Sequence, residues 1–408
     1  MVTFKRIDKV KELYSKIGNK RIKVVAGVRR CGKTFLLTNL FYNYLIQKKK
    51  YEESSISIIL ITGRDSDCRN EKAFRERLSN LALENKKIII IDEVQEVERY
   101  QLALKDFSAN YPNIDIYITG SNSNTLSSDI IANFKEISDI IYVSPLTYKE
   151  IKREKRNYSL LDYLRYGGLP DVVNSPVKKR EDELKNIYRT VYEADVKDRA
   201  KKETFNYLSE PDQKIIIDNI TSGSTAFSTK EVSDRLCKGY SLDQSSKVLF
   251  RKEIQNFLEI LEKSFLFDSI ENLPLNKNTP LEKIGLNKKY YCCDCGIAYY
   301  LCKEPIHKLT LSLETAIYLH LKRNDIKPVC KLLLNENNQA EGEIDFCFDD
   351  TDLQVTYSLH DWDYERETKS LLAIPNSNHK LLIYANKTTT QSNDVITFID
   401  ASDYLTKN

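Results

Sequence analysis

Short apolar runs alternate with segments of helical spacing from the start of the chain to Pro145. The runs predict strands, and those that are nearly free of polar residues predict strands buried on both faces of a sheet. They are Ile22–Ala26, Ile56–Thr62, the isoleucine run after Lys86, Ile114–Thr119 and Ile137–Val143. The helical segments are Met1–Lys20, Thr34–Ile46, Glu71–Leu83 and Tyr100–Tyr111. This alternation predicts an α/β domain with a parallel, doubly wound sheet over residues 1–146.

The loop after the first strand has the spacing of a phosphate-binding loop. Residues 27–34 read GVRRCGKT and fit the pattern G-x-x-x-x-G-K-[ST]. The glycines let successive backbone N–H groups point at one phosphate, and the next helix turns its positive end toward the same anion. Lys33 is expected to reach the β- and γ-phosphates, and the Thr34 hydroxyl to bind Mg²⁺. The predicted nucleotide-binding residues are Gly27, Val28, Arg29, Arg30, Cys31, Gly32, Lys33, Thr34 and Phe35.

The isoleucine run ends in two acids, Asp92 and Glu93. A carboxylate at the C-terminal end of a central strand faces the crevice where ligands bind in open α/β sheets. Asp92 is expected to hold Mg²⁺ and Glu93 to act as the general base toward the attacking water. An apolar run before Asp-Glu is weak evidence alone, but it is strong evidence after a phosphate-binding loop.

A further strand is followed by small polar residues. Thr119, Ser121 and Asn122 are candidates for sensing the γ-phosphate or placing the water, and Ser121 is our catalytic candidate among them. An ordinary turn at the strand end explains each of them equally well. Together the motifs predict a P-loop NTPase domain that binds ATP and Mg²⁺.

Residues 147–205 predict a helical lid, interrupted by a Gly-Gly-Leu-Pro turn after Tyr166. Helical lids of such ATPases often bring a cation to the nucleotide, and Arg199 is the candidate here. The alternative is that Arg199 belongs to a solvated helix face.

The order and spacing of the predicted helices in residues 206–272 are typical of a winged helix. The predicted helices are Gln213–Thr221, a second one capped by Ser228, and Ser246–Glu262. Lys247, Arg251 and Lys252 give the third helix a basic face, which Glu253, Glu259 and Glu262 dilute. Winged helices contact DNA or proteins, and the sequence leaves both open.

Glu271–Lys289 is predicted to be a polar linker. After it, Cys292, Cys293, Cys295 and Cys302 lie close together in sequence. Their spacing is not that of a zinc site, and buried structural thiols are the expected explanation.

Residues 285–408 predict a second α/β domain. Glu314 on a helix and Asp345 on a strand have the order in which restriction-type nucleases place their Mg²⁺ ligands. The strand that should carry Glu-x-Lys reads Gln354-Val355-Thr356 instead. We therefore expect this nuclease-like centre to be inactive.

The composition limits the remaining classes of function. The chain has 408 residues, enough for two or three domains, and its net charge of +3 gives no global signal for polyanion binding. Its nine cysteines are odd in number and scattered, which favours a reducing cytosol over a disulfide framework. We recognise no signal peptide and no membrane-spanning run, so the expected location is cytoplasmic, with no membrane partner.

Seven motifs in fixed order are familiar: GVRRCGKT, IIIIDEVQ, ITGSNS, SPLTYKE, YGGLP, KYYCCDCG and EGEIDF. They resemble a large, mostly uncharacterised family of prokaryotic AAA-like ATPases, related to archaeal signal-transducing NTPases. The resemblance implies an N-terminal ATPase domain, a winged-helix segment and a C-terminal restriction-endonuclease-like domain. It implies ATP binding and hydrolysis through Gly27–Thr34, Asp92 and Glu93, and it implies no substrate.

This chain departs from that family at three places. Lys135-Glu136-Ile137 stands where members usually carry an Arg-Gly-Arg turn. Thr315 replaces the asparagine that commonly follows the helix glutamate, and Gln354-x-Thr356 resembles relatives whose nuclease fold is degenerate and used for binding.

Three functions follow from these observations. The first is a nucleotide-driven switch whose C-terminal half binds DNA or a protein. The second is a protein-interaction module that holds ATP without hydrolysing it, and the third is an ATP-gated DNA nuclease. Glu93 favours the first over the second, and Thr356 in place of a lysine argues against the third.

Overall fold

A computed structural model describes residues 2–120, 134, 137–203, 205–222, 229–237, 240, 243–274, 288–337, 340–374 and 379–407. Ser121, Asn122, Lys135, Glu136 and Ser228, which the sequence analysis singled out, lie outside these ranges. The chain divides into two compact units. The first comprises Met1–Pro145, Thr190–Val196 and Lys263–Phe265, and the second comprises Leu146–Arg189, Lys197–Glu262 and Leu266–Asn408.

The first unit is built on a five-stranded sheet in the order β2-β3-β4-β1-β5. All of its neighbouring strands are parallel, so the predicted parallel sheet is confirmed. The strands are β1 (Ile22–Ala26), β2 (Ile56–Leu60), β3 (Ile88–Asp92), β4 (Asp115–Thr119) and β5 (Ser138–Tyr142). Every residue of β1, β3 and β4 is buried, as expected for strands covered by helices on both faces.

Helices flank this sheet at the positions that the apolar spacing predicts. They are Ile7–Ser15, Lys33–Phe35 continuing through the π-helical turns Leu36–Phe41 and Tyr44–Lys48, Glu71–Leu83 and Tyr100–Asn110. The Asn70 side chain accepts hydrogen bonds from the N–H groups of Lys72 and Ala73, which starts the third of these helices. Phe74, Leu78 and Leu81 of that helix pack in one core with Ile89 and Ile91 of β3.

The second unit begins with helices and ends with a mixed sheet. Its helical segments are Tyr148–Glu154, Leu160–Tyr166, Pro170–Asn174, Arg180–Val191 continuing in the π-helical stretch Tyr192–Lys197 (where Thr190–Val196 count with the first unit), Asp198–Glu203, Glu210–Ile220, Thr229–Cys237, Gln244–Lys263, Cys295–Leu301, Lys308–Arg323, Asp361–Leu372 and Ala401–Thr406. Side-chain capping boxes start three of them, with Thr147, Ser159 and Ser209 as the capping residues.

The mixed sheet has seven strands in the order β12-β11-β10-β9-β8-β6-β7. They are β6 (Phe267–Pro274), β7 (Lys288–Cys292), β8 (Val329–Leu334), β9 (Ala340–Phe348), β10 (Thr351–Leu359), β11 (His379–Lys387) and β12 (Ile396–Asp400). β10, β11 and β12 are parallel, whereas β9 runs antiparallel to both of its neighbours.

The predicted linker Glu271–Lys289 is wrong at both ends. β6 extends to Pro274 and β7 starts at Lys288, and the two strands pair antiparallel with Glu271 opposite Lys288. The polar residues of β6 hide the two-residue alternation that marks a strand in sequence, because several polar side chains find partners across or beside the hairpin. Asp268, for example, accepts a hydrogen bond from the Tyr318 hydroxyl at 2.5 Å.

Two of the seven sequence motifs meet inside the second unit. The buried Asp294 carboxylate accepts hydrogen bonds from the backbone N–H groups of Gly168 at 2.8 Å, Gly296 at 2.9 Å and Ile297 at 3.2 Å. Burial raises the pKa of Asp294 to about 6, although these N–H groups act in the opposite direction. The Gly-Gly turn and the helix after β7 are therefore a packed structural unit.

Gly168→Ala is expected to lower the free energy of unfolding by about 1–3 kcal/mol, because overpacking forces the backbone to shift. A Cβ at Gly168 would lie 1.9 Å from the carbonyl oxygen of Leu146, whose N–H donates to Gly168. Gly63→Ala is the control, since a Cβ there would lie 3.4 Å from Leu60, an ordinary contact. Urea unfolding of both variants checks this prediction, and equal small losses would contradict it.

All nine cysteines are free thiols, and eight of them are buried. Within the described ranges, no group of three or more His, Cys, Asp or Glu side chains is arranged to hold a metal ion. Cys295 donates its S–H to the carbonyl oxygen of Tyr163, which accounts for it as part of the packed core. None of the helices in these ranges is both long and apolar enough to span a membrane.

Candidate functional site

The phosphate-binding loop joins β1 to the helix that begins at Lys33. Arg30 and Gly32 have left-handed backbone conformations, with φ of 65° and 96°. Such residues next to right-handed ones turn successive N–H groups into a concave anion-binding nest. Gly27 has a φ of 150°, and a Cβ there would lie 2.1 Å from the carbonyl oxygen of Val143. The sequence therefore needs glycine at this position for close approach to the segment after β5.

The Lys33 side chain lies back across this loop. Its Nζ atom donates hydrogen bonds to the carbonyl oxygens of Gly27 at 2.9 Å and Val28 at 3.0 Å, and the residue is buried. The ammonium group is thus held against the loop by two neutral carbonyl acceptors, and a phosphate would offer it a stronger, charged acceptor.

Asp92 joins the loop to the two central strands. Its Oδ1 atom accepts hydrogen bonds from the hydroxyls of Thr34 at 2.8 Å and Thr119 at 2.6 Å. Burial raises the pKa of Asp92, while the two hydroxyls and the Lys33 charge act in the opposite direction. Thr119, a sensing candidate in the sequence, therefore contacts the Asp92 carboxylate directly.

Glu93 follows β3 in a left-handed conformation with a φ of 57°. Its backbone N–H donates to the Thr119 hydroxyl at 3.1 Å, so Thr119 bridges both acids. The Gln95 side-chain amide donates to Glu93 Oε2, and Gln95 Oε1 is buried with no hydrogen-bond partner in the described ranges. Gln95 is thus a residue of the site that sequence reasoning overlooked, although it belongs to the quoted motif IIIIDEVQ.

The oxygen atoms at this place fit the ligands that Mg²⁺ prefers. A carboxylate and a threonine hydroxyl lie in hydrogen-bond contact at the C-terminal ends of parallel strands, beside the nest of the loop. Thr34 and Asp92 would hold the ion there, as the sequence predicts.

Two arginines of the first unit also belong to the surroundings of the loop. Arg29 Nη2 and Nε donate to the two oxygens of Asp195 at 2.8 Å and 3.1 Å. The buried Arg6 guanidinium donates to the carbonyl oxygen of Cys31 at 2.9 Å and to that of Ser144. Neither Arg6 nor Asp195 stands in a recognisable motif, so only the fold reveals their role.

For the other predicted site residues that lie in the described ranges, the structure gives burial and local contacts. Phe35 is exposed on the helix after the loop. Val28 and Cys31 are buried, and Cys31 Sγ donates to the carbonyl oxygen of Val143 at 3.1 Å. Arg199 is buried in the second unit, so the alternative of a solvated helix face is wrong. Its catalytic role, like that of Ser121, stays a prediction.

The helix Gln244–Lys263 differs from the basic face expected of it. Glu253 is buried, and its carboxylate accepts hydrogen bonds from the N–H groups of Asn206, Tyr207 and Leu208 at 2.8–3.0 Å. Glu253 therefore orders the preceding loop and does not dilute the surface charge. Arg251 donates to Asp234 at 2.7 Å, which ties one of the three basic residues to the neighbouring helix.

The second unit contains a buried charge cluster. Glu314 and Asp345, predicted to be neighbours, do meet, and Glu343 joins them. Lys289 lies among all three carboxylates, 3.0 Å from Glu343 and 3.1 Å from Asp345 and in contact with Glu314. Burial alone would lower the pKa of Lys289, but the surrounding carboxylates raise it well above its usual value.

Strand β10 contributes a backbone N–H to this cluster, and its residues 354–356 include no lysine. The backbone N–H of Val355 donates to Asp345 at 2.8 Å, and Tyr291 donates to Glu314 at 2.7 Å. The Thr356 hydroxyl donates to the carbonyl of Ser358, and Gln354 Oε1 is buried without a partner in the described ranges. The ammonium group of Lys289 thus lies between the three carboxylates and compensates their charge.

Comparison with known proteins agrees with the position of the loop. Residues 19–152 match the AAA domain family, and residues 157–308 match a domain of unknown function (DUF8612). An uncharacterised protein of Haemophilus influenzae is 25% identical over 93% of this chain and 93% of its own length. An uncharacterised protein of Methanocaldococcus jannaschii is 24% identical over 89% of this chain and 82% of its own length.

Two solved structures have weak overall similarity. AMPPCP-bound DnaA from Aquifex aeolicus shows 15% identity and a TM-score of 0.28, covering 63% of this chain and 85% of that one. Hsp104 of S. cerevisiae in a casein complex shows 14% identity and a TM-score of 0.29, covering 70% and 58%. TM-scores this low carry no argument about the fold, which therefore rests on the parallel sheet, the phosphate-binding loop and the family match. On those grounds residues 19–152 form an AAA-like P-loop domain of the α/β class.

Proposed function

We propose that this protein binds ATP with Mg²⁺ and hydrolyses it, and that it works as a nucleotide-driven switch. The observation that carries the proposal is the contact of Thr34 and Thr119 with one oxygen of Asp92. It places the phosphate loop, the acidic end of β3 and the end of β4 at one point. Lys33 and Glu93 lie at the same edge of the sheet, one on the helix after the loop and one directly after β3.

Each residue has a distinct task in this proposal. Backbone N–H groups of the loop and the Lys33 ammonium hold the β- and γ-phosphates. Thr34 and Asp92 hold the Mg²⁺ ion, which neutralises charge on the phosphates when bound. Glu93 accepts a proton from the attacking water, with Gln95 and Thr119 fixing its position. Ser121 and Arg199 are proposed to contribute polar contact and positive charge to the transferring phosphate.

In this proposal, nucleotide binding and hydrolysis control the binding of a partner by the rest of the chain. We propose a helical lid over residues 147–205, a winged helix over 206–272 and a nuclease-like domain over 285–408, which together bind DNA or a protein. The three helices Glu210–Ile220, Thr229–Cys237 and Gln244–Lys263 give the winged-helix proposal its support. A non-hydrolysing ATP-bound interaction module is the alternative. Nuclease activity is disfavoured, because Lys289 compensates the charge of the carboxylate cluster.

Calorimetric titration with Mg²⁺-ATP tests the binding part of this proposal. Lys33→Ala is expected to weaken ATP binding by about 10- to 100-fold, since it removes charge-assisted hydrogen bonds to the phosphates. Lys11→Ala, on the exposed side of the first helix, is the control and should bind like the wild type. Equal affinities for the wild type and Lys33→Ala would show that ATP does not occupy this loop.

A further inference from the structure

The contact between Arg29 and Asp195 links the phosphate loop to a distant part of the sequence. The two groups form a bidentate pair, with distances of 2.8 Å and 3.1 Å. Asp195 is 1% exposed, whereas the Arg29 side chain is 26% exposed. A forked guanidinium–carboxylate pair is both strong and directional, so it fixes the position of each partner.

Asp195 belongs to a segment that crosses between the two units along the chain. Residues Thr190–Val196 are part of the first unit, while the residues before and after them are part of the second. This segment includes most of the π-helical stretch Tyr192–Lys197. π-Helical turns inside longer helices are frequent at functional sites. Asp195 therefore holds the passing segment to the phosphate loop at a place where the helix is irregular.

Arg29 also lies in the electrostatic field of the proposed site. Its hydrogen bonds to Asp195 raise the pKa of Arg29, and the charges of Glu93 and Glu96 add to this effect. A triphosphate in the loop would bring further negative charge to the same guanidinium and would compete with Asp195 for its N–H donors. If Arg29 turned to a phosphate, its bidentate pair with Asp195 would break, and the segment would lose this contact with the loop.

We infer that the Arg29–Asp195 pair is a nucleotide-sensitive latch on the segment Thr190–Val196. Without nucleotide, Asp195 holds both Arg29 and the segment against the loop. ATP competes with Asp195 for Arg29 and releases the segment. Nucleotide binding thereby changes how firmly the residues on either side of the segment are held. This inference rests on the proposed ATP site and adds a specific means of coupling to it.

Asp195→Asn provides the sharpest test, because a structural role and a latch predict opposite effects on ATP affinity. As a latch, loss of Asp195 frees Arg29 and tightens ATP binding by about 5- to 150-fold, the usual range for coupled equilibria. The gain must vanish when Arg29→Gln is added, which a double-mutant cycle by calorimetry measures. Glu193→Gln, an exposed acid of the same segment, should leave affinity unchanged.

Limited trypsin cleavage at Arg189, Lys197 and Arg199 gives a second readout of the same latch. ATP should speed cleavage several-fold in the wild type, and Asp195→Asn should be cut quickly with or without ATP. If Asp195→Asn does not fold, Arg29→Gln breaks the pair from its exposed side and must show the same fast cleavage.

The outcomes separate the two proposals. If the wild type binds ATP through Lys33 but Asp195→Asn binds no more tightly, the latch is wrong and the ATP site stands. The latch is also wrong if ATP speeds trypsin cleavage of Arg29→Gln by the same factor as it speeds cleavage of the wild type. If the wild type binds no ATP, both proposals fail.

Discussion

Glu93→Gln is expected to lower kcat for ATP hydrolysis by about 10²- to 10⁴-fold, the usual contribution of a general base. Glutamine has the same shape but cannot accept the proton of the attacking water. The backbone N–H that bonds Thr119 is unaffected by the change, and the amide oxygen still accepts from Gln95. ATP affinity should therefore stay within a few-fold of the wild type.

Steady-state phosphate release and calorimetric titration together check this prediction. Glu96→Gln is the matched control, because Glu96 is an exposed acid three residues further along the same turn. It should keep kcat within about two-fold, as expected for a surface change. A Glu93→Gln enzyme with nearly full kcat would assign the general base to another residue.

Lys289→Met is expected to lower the free energy of unfolding of the second unit by about 3–5 kcal/mol, the usual cost of removing one partner from a buried ion pair. The substitution keeps the length of the side chain but leaves Glu314, Glu343 and Asp345 facing one another without their cation. Burial raises the pKa of both Glu343 and Asp345, so these carboxylates would take up protons in the variant. The loss should therefore be smaller at acidic pH than at neutral pH.

Urea unfolding at two pH values measures this effect. Lys288→Met is the control, because Lys288 is the preceding residue of β7, its side chain is 39% exposed and it lies 3.1 Å from Glu262. Exposed pairs contribute about 0–1 kcal/mol, so the control should lose little stability. Equal losses in the two variants would contradict a central role for Lys289 in the cluster.

The first unit was largely predictable because its signals are local. Buried parallel strands give continuous apolar runs such as Ile88–Ile91, and the helix Glu71–Leu83 has both the predicted bounds and a capping asparagine before it. Asp92 and Thr34 could be paired in advance, because parallel strands end at one edge of the sheet.

The missed parts of the site depend on contacts between residues far apart in sequence. Asp195 lies 166 positions from Arg29, and Arg6 bonds to Cys31 across 25 positions. A single acid or arginine carries no periodicity, so neither residue stands out before the chain folds. Lys289 was assigned to a linker for the same reason, since its carboxylate partners come from a later helix and strand.

The measurement that tests the central claim most directly is steady-state phosphate release from Mg²⁺-ATP by the wild type and Lys33→Ala, with and without duplex DNA. We predict turnover by the wild type that requires Mg²⁺ and is lost in Lys33→Ala. Stimulation by DNA would identify the class of partner, and turnover unaffected by DNA would favour a protein. Wild-type turnover no greater than that of Lys33→Ala under all of these conditions would contradict hydrolysis at this site.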